Sequence, residues 1–327
     1  MKGLHFGIPS ALPARFNPAM QNPVVGIEIG GTKLQVVLGD IDGSIRSSHR
    51  FAVDHAEGAV GIRRQLETTL RALQAERPCA VAVGYGGPVD WRTGRICCSH
   101  HVKGWSEFPL GDWLRELTGL PVNVDNDANV AALGEAMVGA GKGRNPVLYV
   151  TLGSGVGGGV VLDGRIYHGI APGEVEIGHV RLDRVGATVE SRCAGWAVDR
   201  RVREAALADP AGLLARLVRG VEGGEARHLG PALAAADPVA QTILGDTATD
   251  LAFGLSHAVH LFHPEIIILG GGLALLGELL RGVVAKALPE FVMEAFRPGP
   301  EVIVSPLREN AVPVGALLLA GQAAQAG

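Results

Sequence analysis

The chain has 327 residues, 47% apolar and 19% charged, with a formal net charge of -4. That length is too great for one small core and predicts two domains or lobes, and the composition is that of a globular chain rather than a disordered one. Mixed charge with no Lys/Arg-rich arm argues against nucleic acid as a main partner, and no apolar run reaches the ~18 residues of a membrane span.

Residues 1–22 lack the apolar middle of a secretion signal and read as a tail or lead-in strand, too short for a helix-turn-helix domain. Cys79, Cys97, Cys98 and Cys193 show no C-x-x-C spacing and read as free thiols in a reducing compartment. These points favour a soluble cytoplasmic enzyme.

The elements alternate. "VVGIEIGGTKLQVVLGD" (24–40) reads as a hairpin and "SIRSSHRFAV" as a third strand; "GAVGIRRQLETTLRALQAE" has helical spacing; "CAVAVGYGG" is a buried strand. "LGDWLRELTG" is a helix, and "LPVNVDND" is a strand that runs into the small-residue helix "NDANVAALGEAMVGAG". "PVLYVTLGSGVGGGVVLDGRIY" repeats the opening strand–glycine turn–strand, and "DLAFGLSHAVHLFHPEIIILGGGLALLGELL" gives helix, strand, glycine turn, helix. The fold class is therefore α/β, with a strand hairpin opening each half. We place the boundary between a small lobe (23–122) and a large lobe (123–310) near residue 122, with a C-terminal helix at about 311–325 packing back onto the first lobe.

Two glycine turns fail the nucleotide motifs they superficially match. "GAGKG" (139–143) lacks the leading glycine and the Ser/Thr of a P-loop, and "GSGVGG" (153–158) is followed by a strand where a dinucleotide fold needs a helix. What remains are hairpin turns whose N–H groups can form anion nests, at Gly30, Gly31 and at Gly153, Ser154, Gly155, with a third glycine turn at Gly271 and Gly272. Glu28 beside Thr32 and Lys33 reads as a corner for magnesium and phosphate, because a carboxylate near phosphate needs a metal between them.

Asn126 and Asp127 stand where a strand ends and a helix begins. Either they cap the helix, or Asp127 takes a proton from a substrate hydroxyl, kept ionised by the helix N-terminus. Glu176 and His179 stand three residues apart and can reach one polar ligand. His257, His260 and His263 have helical spacing and read as a helix face rather than a metal site.

Taken in order, "GIEIGGTK", "YGGPVDWRTGRI", "NVDNDANVAALGE", "TLGSGVGGGVVLDGRIYHG", "EIGH" and "LFHPEIIILGGGLA" resemble the motifs of the ROK sugar kinases and regulators, of the actin/hexokinase superfamily, over most of 24–322. The resemblance implies two ribonuclease-H-like lobes with ATP and sugar meeting in the cleft between them. It implies that Asp127 is the base and that Gly87, Asn126, Glu176 and His179 contact the sugar. It also implies ATP with Mg2+ and a homodimer or homotetramer.

Departures from the family pattern carry expectations too. Gly186 and Thr188 replace two of the cysteines that usually hold a structural zinc, and only Cys193 survives, so the zinc site is predicted absent. Segment 184–194 is then expected to be held by apolar anchors at Val185 and Val189, or to be mobile. Gly195 stands where the family usually has a sugar-binding glutamate, which puts the usual glucose-type substrate in doubt unless another residue supplies the carboxylate. Three functions remain open: an ATP-dependent kinase of a sugar or polyol, a catalytically weak sugar-binding sensor, and a phosphotransferase acting on a non-sugar.

Overall fold

In the first strand every second residue is apolar and buried on one side, and the intervening positions face the other way. Val25, Ile27 and Ile29 join one core, while Val24 joins another. Glu28 falls on the Val24 side, and that parity is what later brings its carboxylate to the site. The computed structural model describes residues 22–99, 102–173 and 175–326; the sequence reading of residues 1–22 lies outside them apart from Asn22.

Two five-stranded sheets share one plan. The first runs β3 (Ile45–Ala52), β2 (Lys33–Gly39), β1 (Val24–Ile29), β4 (Val81–Tyr85), β7 (Val122–Asn126). The second runs β10 (Arg165–Ile166), β9 (Val156–Leu162), β8 (Val147–Leu152), β11 (Ile266–Gly270), β12 (Glu301–Val304). In each, the first three strands form an antiparallel meander and the last two are parallel additions. A two-stranded ribbon, β5 (Val89–Asp90) with β6 (Arg95–Ile96), projects after β4.

The strand at 122–126 pairs with β4 in parallel and completes the first sheet. The chain therefore changes sheets after this strand, not at residue 122 as its position in the sequence suggested.

Among the described residues ten α-helices cover the sheets: α1 (Gly58–Leu73), α2 (Leu110–Thr118), α3 (Asp127–Val138), α4 (Val189–Cys193), α5 (Gly195–Ala208), α6 (Leu213–Leu217), α7 (Leu229–Ala234), α8 (Pro238–Phe262), α9 (Glu278–Phe291) and α10 (Ala311–Ala326). α1 and α2 close one core on the first sheet, and α4 to α9 close another on the second. Between the sheets lie α10, against β1 and β4, and α3, against β8 and β9. The C-terminal helix packs on the first sheet through β1 and β4.

Small residues set the α3–α10 distance. A Cβ on Gly134 would come 2.7 Å from the Ala311 carbonyl oxygen, and one on Gly315 would strike the Val130 carbonyl. β9 admits α3 in the same way, since a Cβ on Gly159 would lie 2.8 Å from the Ala128 carbonyl oxygen. Close backbone approach is the reason for glycine at these points.

Candidate active site

β7 ends where α3 begins. Asn126 is the N-cap of α3, its Oδ1 accepting from Ala128 N–H (2.8 Å) and Asn129 N–H (3.3 Å). Its Nδ2 donates to the Gly87 carbonyl, 3.2 Å away, which ties the cap to the loop after β4. The capping reading of Asn126 is therefore the geometry observed, and Asp127 is the first helical residue.

Asp127 faces a cavity of ≈340 Å3. β1 and β2 contribute Glu28 and Lys33, β8 contributes Tyr149 and Thr151, the turn after β11 contributes Gly270, Gly271 and Gly272, and the approach to α10 adds Ser305 and Arg308. Both sheets thus meet at this cavity through the ends of their central strands. A shallower hollow adjoins it, sharing Gly277, Val304, Ser305 and Arg308.

The electrostatics are those of crowded carboxylates. Asp127 is pushed up from its ordinary 3.8 to about 7, first by burial and second by the charge of Glu28; the Ala128 N–H and Lys33 act against this. Glu28 is raised as well, by burial, with Lys33 opposing. The sequence expectation that the helix N-terminus would hold Asp127 fully ionised is thus corrected, because desolvation outweighs the helix N–H groups.

Lys33 Nζ lies 2.8 Å from Glu28 Oε2. The contact is off the hydrogen-bonding direction, so this buried oxygen has no hydrogen-bond partner among the described residues. An ammonium at that distance attracts the carboxylate at any angle.

Gly271 adopts φ +81°, and a Cβ there would sit 2.6 Å from Leu152 backbone atoms. Only glycine fits such a site. Gly270 is equally constrained, by the Tyr149 hydroxyl. Burial raises the pKa of that phenol, so Tyr149 serves as a neutral hydrogen-bonding group.

The predicted residues separate into three groups. Glu28, Lys33, Asp127, Gly271 and Gly272 share the cavity. Gly30, Gly31 and Thr32 form the β1–β2 turn beside it, and Gly86 N–H donates to the Ile29 carbonyl at 2.8 Å, next to that turn. Gly153, Ser154 and Gly155 lie outside its lining; Gly153 N–H donates to the Gly155 carbonyl, closing their own turn. Glu176 and His179 are 3.9 Å apart at their nearest oxygen and nitrogen, and both are exposed. Glu176 lines a separate hollow with Tyr167 and His257.

Segment 184–194 is fastened by hydrogen bonds to its own backbone. Asp183 Oδ1 accepts from the N–H groups of Val185, Gly186 and Ala187, and Thr188 with Ser191 forms a capping box on α4. Val189 is fully buried as expected, but Val185 is 93% exposed and anchors nothing. The three backbone bonds to Asp183 do the work assigned to it.

Gly195 N–H donates to the Gly153 carbonyl at 2.8 Å, and a Cβ there would come within 2.9 Å of the same oxygen. That position has no room for a side chain. The carboxylate of this region is Glu190, whose Oε2 accepts from Val156 N–H at 2.9 Å, beside Gly155.

Sequence reasoning missed Gly86, Tyr149, Ser305, Arg308 and Glu190. Gly86 had a signal in its double glycine, since a Cβ there would lie 3.3 Å from Asp127 Oδ2. The other four are brought in by strand register and chain return, which no local pattern reports.

The histidines of α8 act singly. His260 Nε2 accepts from Met293 N–H, and His263 stacks on Phe296. Among the described residues no group of three His, Cys, Asp or Glu side chains is placed to hold a metal ion, and no helix is long and apolar enough to cross a membrane.

The chain as a whole has known relatives. The chain is 33% identical to a glucokinase of Thermotoga maritima, over 90% of this chain and 95% of the relative. In structure it is similar to a ROK family glucokinase from Streptomyces griseus in complex with glucose and AMPPNP (TM-score 0.80, 31% identity, 92% of this chain and 100% of that one). It is also similar to a ROK hexokinase from Thermus thermophilus (TM-score 0.74, 30% identity, 93% and 100%). The sequence pattern of the ROK family matches residues 24–323, and the chain belongs to that family, with its two-lobed actin/hexokinase-like fold.

Proposed function

We infer that this protein is a sugar kinase that transfers a phosphoryl group from ATP to a sugar hydroxyl, with glucose as the acceptor to test first. The observation that carries the reading is Asp127, a carboxylate poised near neutrality on the wall of a cavity that also holds Lys33, Gly271 and Gly272. A base with a pKa of about 7 is half ionised at working pH and can accept a hydroxyl proton with a useful driving force. The relatives named glucokinase, and the glucose and AMPPNP bound in the Streptomyces griseus enzyme, support the choice of sugar and nucleotide.

The roles follow from placement. ATP supplies the transferable phosphoryl group. Asp127 takes the proton from the acceptor oxygen. Lys33 and Arg308 bring positive charge to the cavity, and the adjoining hollow beside Gly277 and Arg308 gives room for the rest of a nucleotide. Gly87, Asn126, Glu176 and His179 are assigned to the sugar, with Glu190 added. Asn126 and Gly87 reach it from the first sheet's side, and the others approach from the second.

Magnesium fits the donor set. Glu28 Oε2 is a buried acceptor without a hydrogen-bond partner among the described residues, Lys33 Nζ lies 2.8 Å from it, and the charge of Glu28 raises the pKa of Asp127. Mg2+ is characteristically held by one or two carboxylates and substrate phosphates, and Glu28 would hold it here, neutralising charge on the phosphates. We read the small lobe as 23 to about 126 plus α10 and the large lobe as the remainder. We read the enzyme as cytoplasmic, zinc-free and homo-oligomeric, as a dimer or tetramer; the exposed Ile170 and Leu207 supply apolar surface for association.

ADP release measured across hexoses, N-acetylhexosamines and polyols tests the reading. Glucose-dependent release with magnesium is the expected outcome. Saturable glucose binding with no release would leave a sensor, and release driven only by a small carboxylate acceptor would leave a non-sugar phosphotransferase.

A further inference from the structure

His168, in the loop after β10 of the second sheet, reaches the segment carrying the base. It stands two residues past β10, yet its Nε2 lies 2.7 Å from Asp125 Oδ2 at the end of β7. Its ring stacks on Trp91 of the β5–β6 ribbon, centroids 4.2 Å apart and planes 17° apart. Both partners belong to the first half of the chain. The contact is largely closed to water: the side chain of His168 is 16% exposed and that of Asp125 5%.

Asp125 is the hub. Its Oδ1 accepts from Asn126 N–H at 2.8 Å and from Asn129 Nδ2 at 3.0 Å. Asn126 in turn caps α3 and holds the Gly87 carbonyl. With Oδ2 given to His168, the carboxylate clamps both residues that flank Asp127's turn. The direction of β7 as it becomes α3, and hence the aim of Asp127, depends on that clamp.

On the other side, His168 begins the run that carries Glu176 and His179. Val175 of this run is bridged to Gly158 of β9. One imidazole therefore joins three parts assigned to the sugar: the ribbon after Gly87, the Asn126–Asp127 segment, and the loop bearing Glu176 and His179.

We propose that His168 is a positioning residue for phosphoryl transfer, fixing the sugar-side loop to the base segment through Asp125 and Trp91. This rests on the sugar-kinase reading. The lock acts on the acceptor side of the cavity and has no contact with Lys33, Gly271 or Arg308, so it governs the sugar and not the nucleotide. A misplacement of about 1 Å at a reacting group is worth up to ~10²-fold in rate, and loss of this lock would produce an error of that size.

The test is steady-state kinetics with ATP and glucose, or the best acceptor of the panel above, on the parent, His168→Ala, His168→Gln, Asp125→Asn and the double variant His168→Ala/Asp125→Asn. His168→Ala is expected to lower kcat/KM for the sugar about 10–100-fold while KM for ATP stays within about twofold. His168→Gln keeps a donor near the Nε2 position and is expected to recover part of the loss. The double variant should be little worse than the worse single one, because the two residues act as a unit.

Melting temperatures of the same proteins separate positioning from mere support. A lowered melting temperature with sugar kcat/KM unchanged in the folded fraction overturns the proposal. So does a KM for ATP that rises as much as the KM for the sugar, or fully additive effects in the double variant. A parent that releases no ADP with any sugar ends the kinase reading and this inference together, whereas an active parent with an unaffected His168→Ala ends this inference alone.

Discussion

At the first hairpin, a Cβ on Gly30 would lie 3.4 Å from the Lys33 carbonyl oxygen, an ordinary contact; at the second, a Cβ on Gly159 would lie 2.8 Å from the Ala128 carbonyl and equally close to the Asn129 backbone. The sheets share strand order, and each hairpin opens its sheet, so the sequence invites one reading for both. The structure gives them different tasks. The first hairpin brings Glu28 and Lys33 to the cavity, whereas the second uses glycines to seat α3, the helix that begins with Asp127. The first hairpin supplies charge beside the clearance its Gly26 gives α10, where a Cβ would lie 3.1 Å from the Pro313 carbonyl oxygen, and the second supplies clearance for α3.

The largest effect belongs to the residue that both hairpins serve. Asp127→Asn should lower turnover by ~10²–10⁴-fold, the usual cost of removing a general base, while nucleotide binding persists. The same substitution should stabilise the fold. The folded pKa of Asp127 stands above its ordinary 3.8, at about 7, so the fold disfavours the ionised form. Stability is lost as pH rises between those values and stays lost above them. Melting temperature should therefore be higher than the parent's at about pH 8 and unchanged at about pH 3. Near-normal turnover would remove Asp127 from the chemistry, and no gain at the higher pH would show that burial does not penalise its charge.

Clearance is tested by paired glycine substitutions. Gly159→Ala forces a methyl into the backbone of α3 and should cost about 1–3 kcal/mol by overpacking. Gly30→Ala meets nothing closer than ordinary contact and should leave stability within about 0.5 kcal/mol. Chemical unfolding of the two proteins reads this directly. Equal losses would erase the distinction drawn between the hairpins.

Charge is tested at Glu28. Its carboxylate is the second cause of Asp127's raised pKa, and its removal also frees Lys33, which acts to lower that pKa. Glu28→Gln should thus move the acid limb of the kcat/KM profile to lower pH, because the base ionises earlier. It should also raise the magnesium needed for half-maximal rate. A profile and a magnesium titration that overlay the parent's would show that the first hairpin supplies no functional charge.

What the sequence made legible divides along the same line. Alternating strands with glycine turns announce themselves through period and composition, so both hairpins, the α/β class and the C-terminal helix were readable. Asp127 was readable because a strand end, an N-cap asparagine and a helix start are local signals. Strand 122–126 was assigned to the wrong half because parallel pairing with β4 leaves no mark in either segment. Glu190 and Arg308 were invisible for a related reason. Their places depend on where α4 seats against β9 and how the chain returns from β12, and long-range packing settles both.

The smallest expected effect is none at all, and it concerns segment 184–194. Zinc stabilises such a loop by binding thiolates and imidazoles in a closed tetrahedron. Cys193 is fully buried, and its Sγ lies 3.5 Å from the Thr247 carbonyl of α8. Two ligands, His179 and Cys193, are too few for a closed tetrahedral site. His179 is 74% exposed and pairs only loosely with Glu176, so it is no structural tie. Asp183 meanwhile gathers three backbone N–H groups, and those bonds hold its carboxyl below the usual range. Chelator should therefore leave the melting temperature unchanged, and metal analysis of the untagged protein should find no stoichiometric zinc. Asp183→Ala should instead loosen the loop, read as faster proteolysis within 184–194. Zinc at one per chain, with a melting temperature that falls on chelation, would show that the segment is held by metal and that the Asp183 turn is secondary.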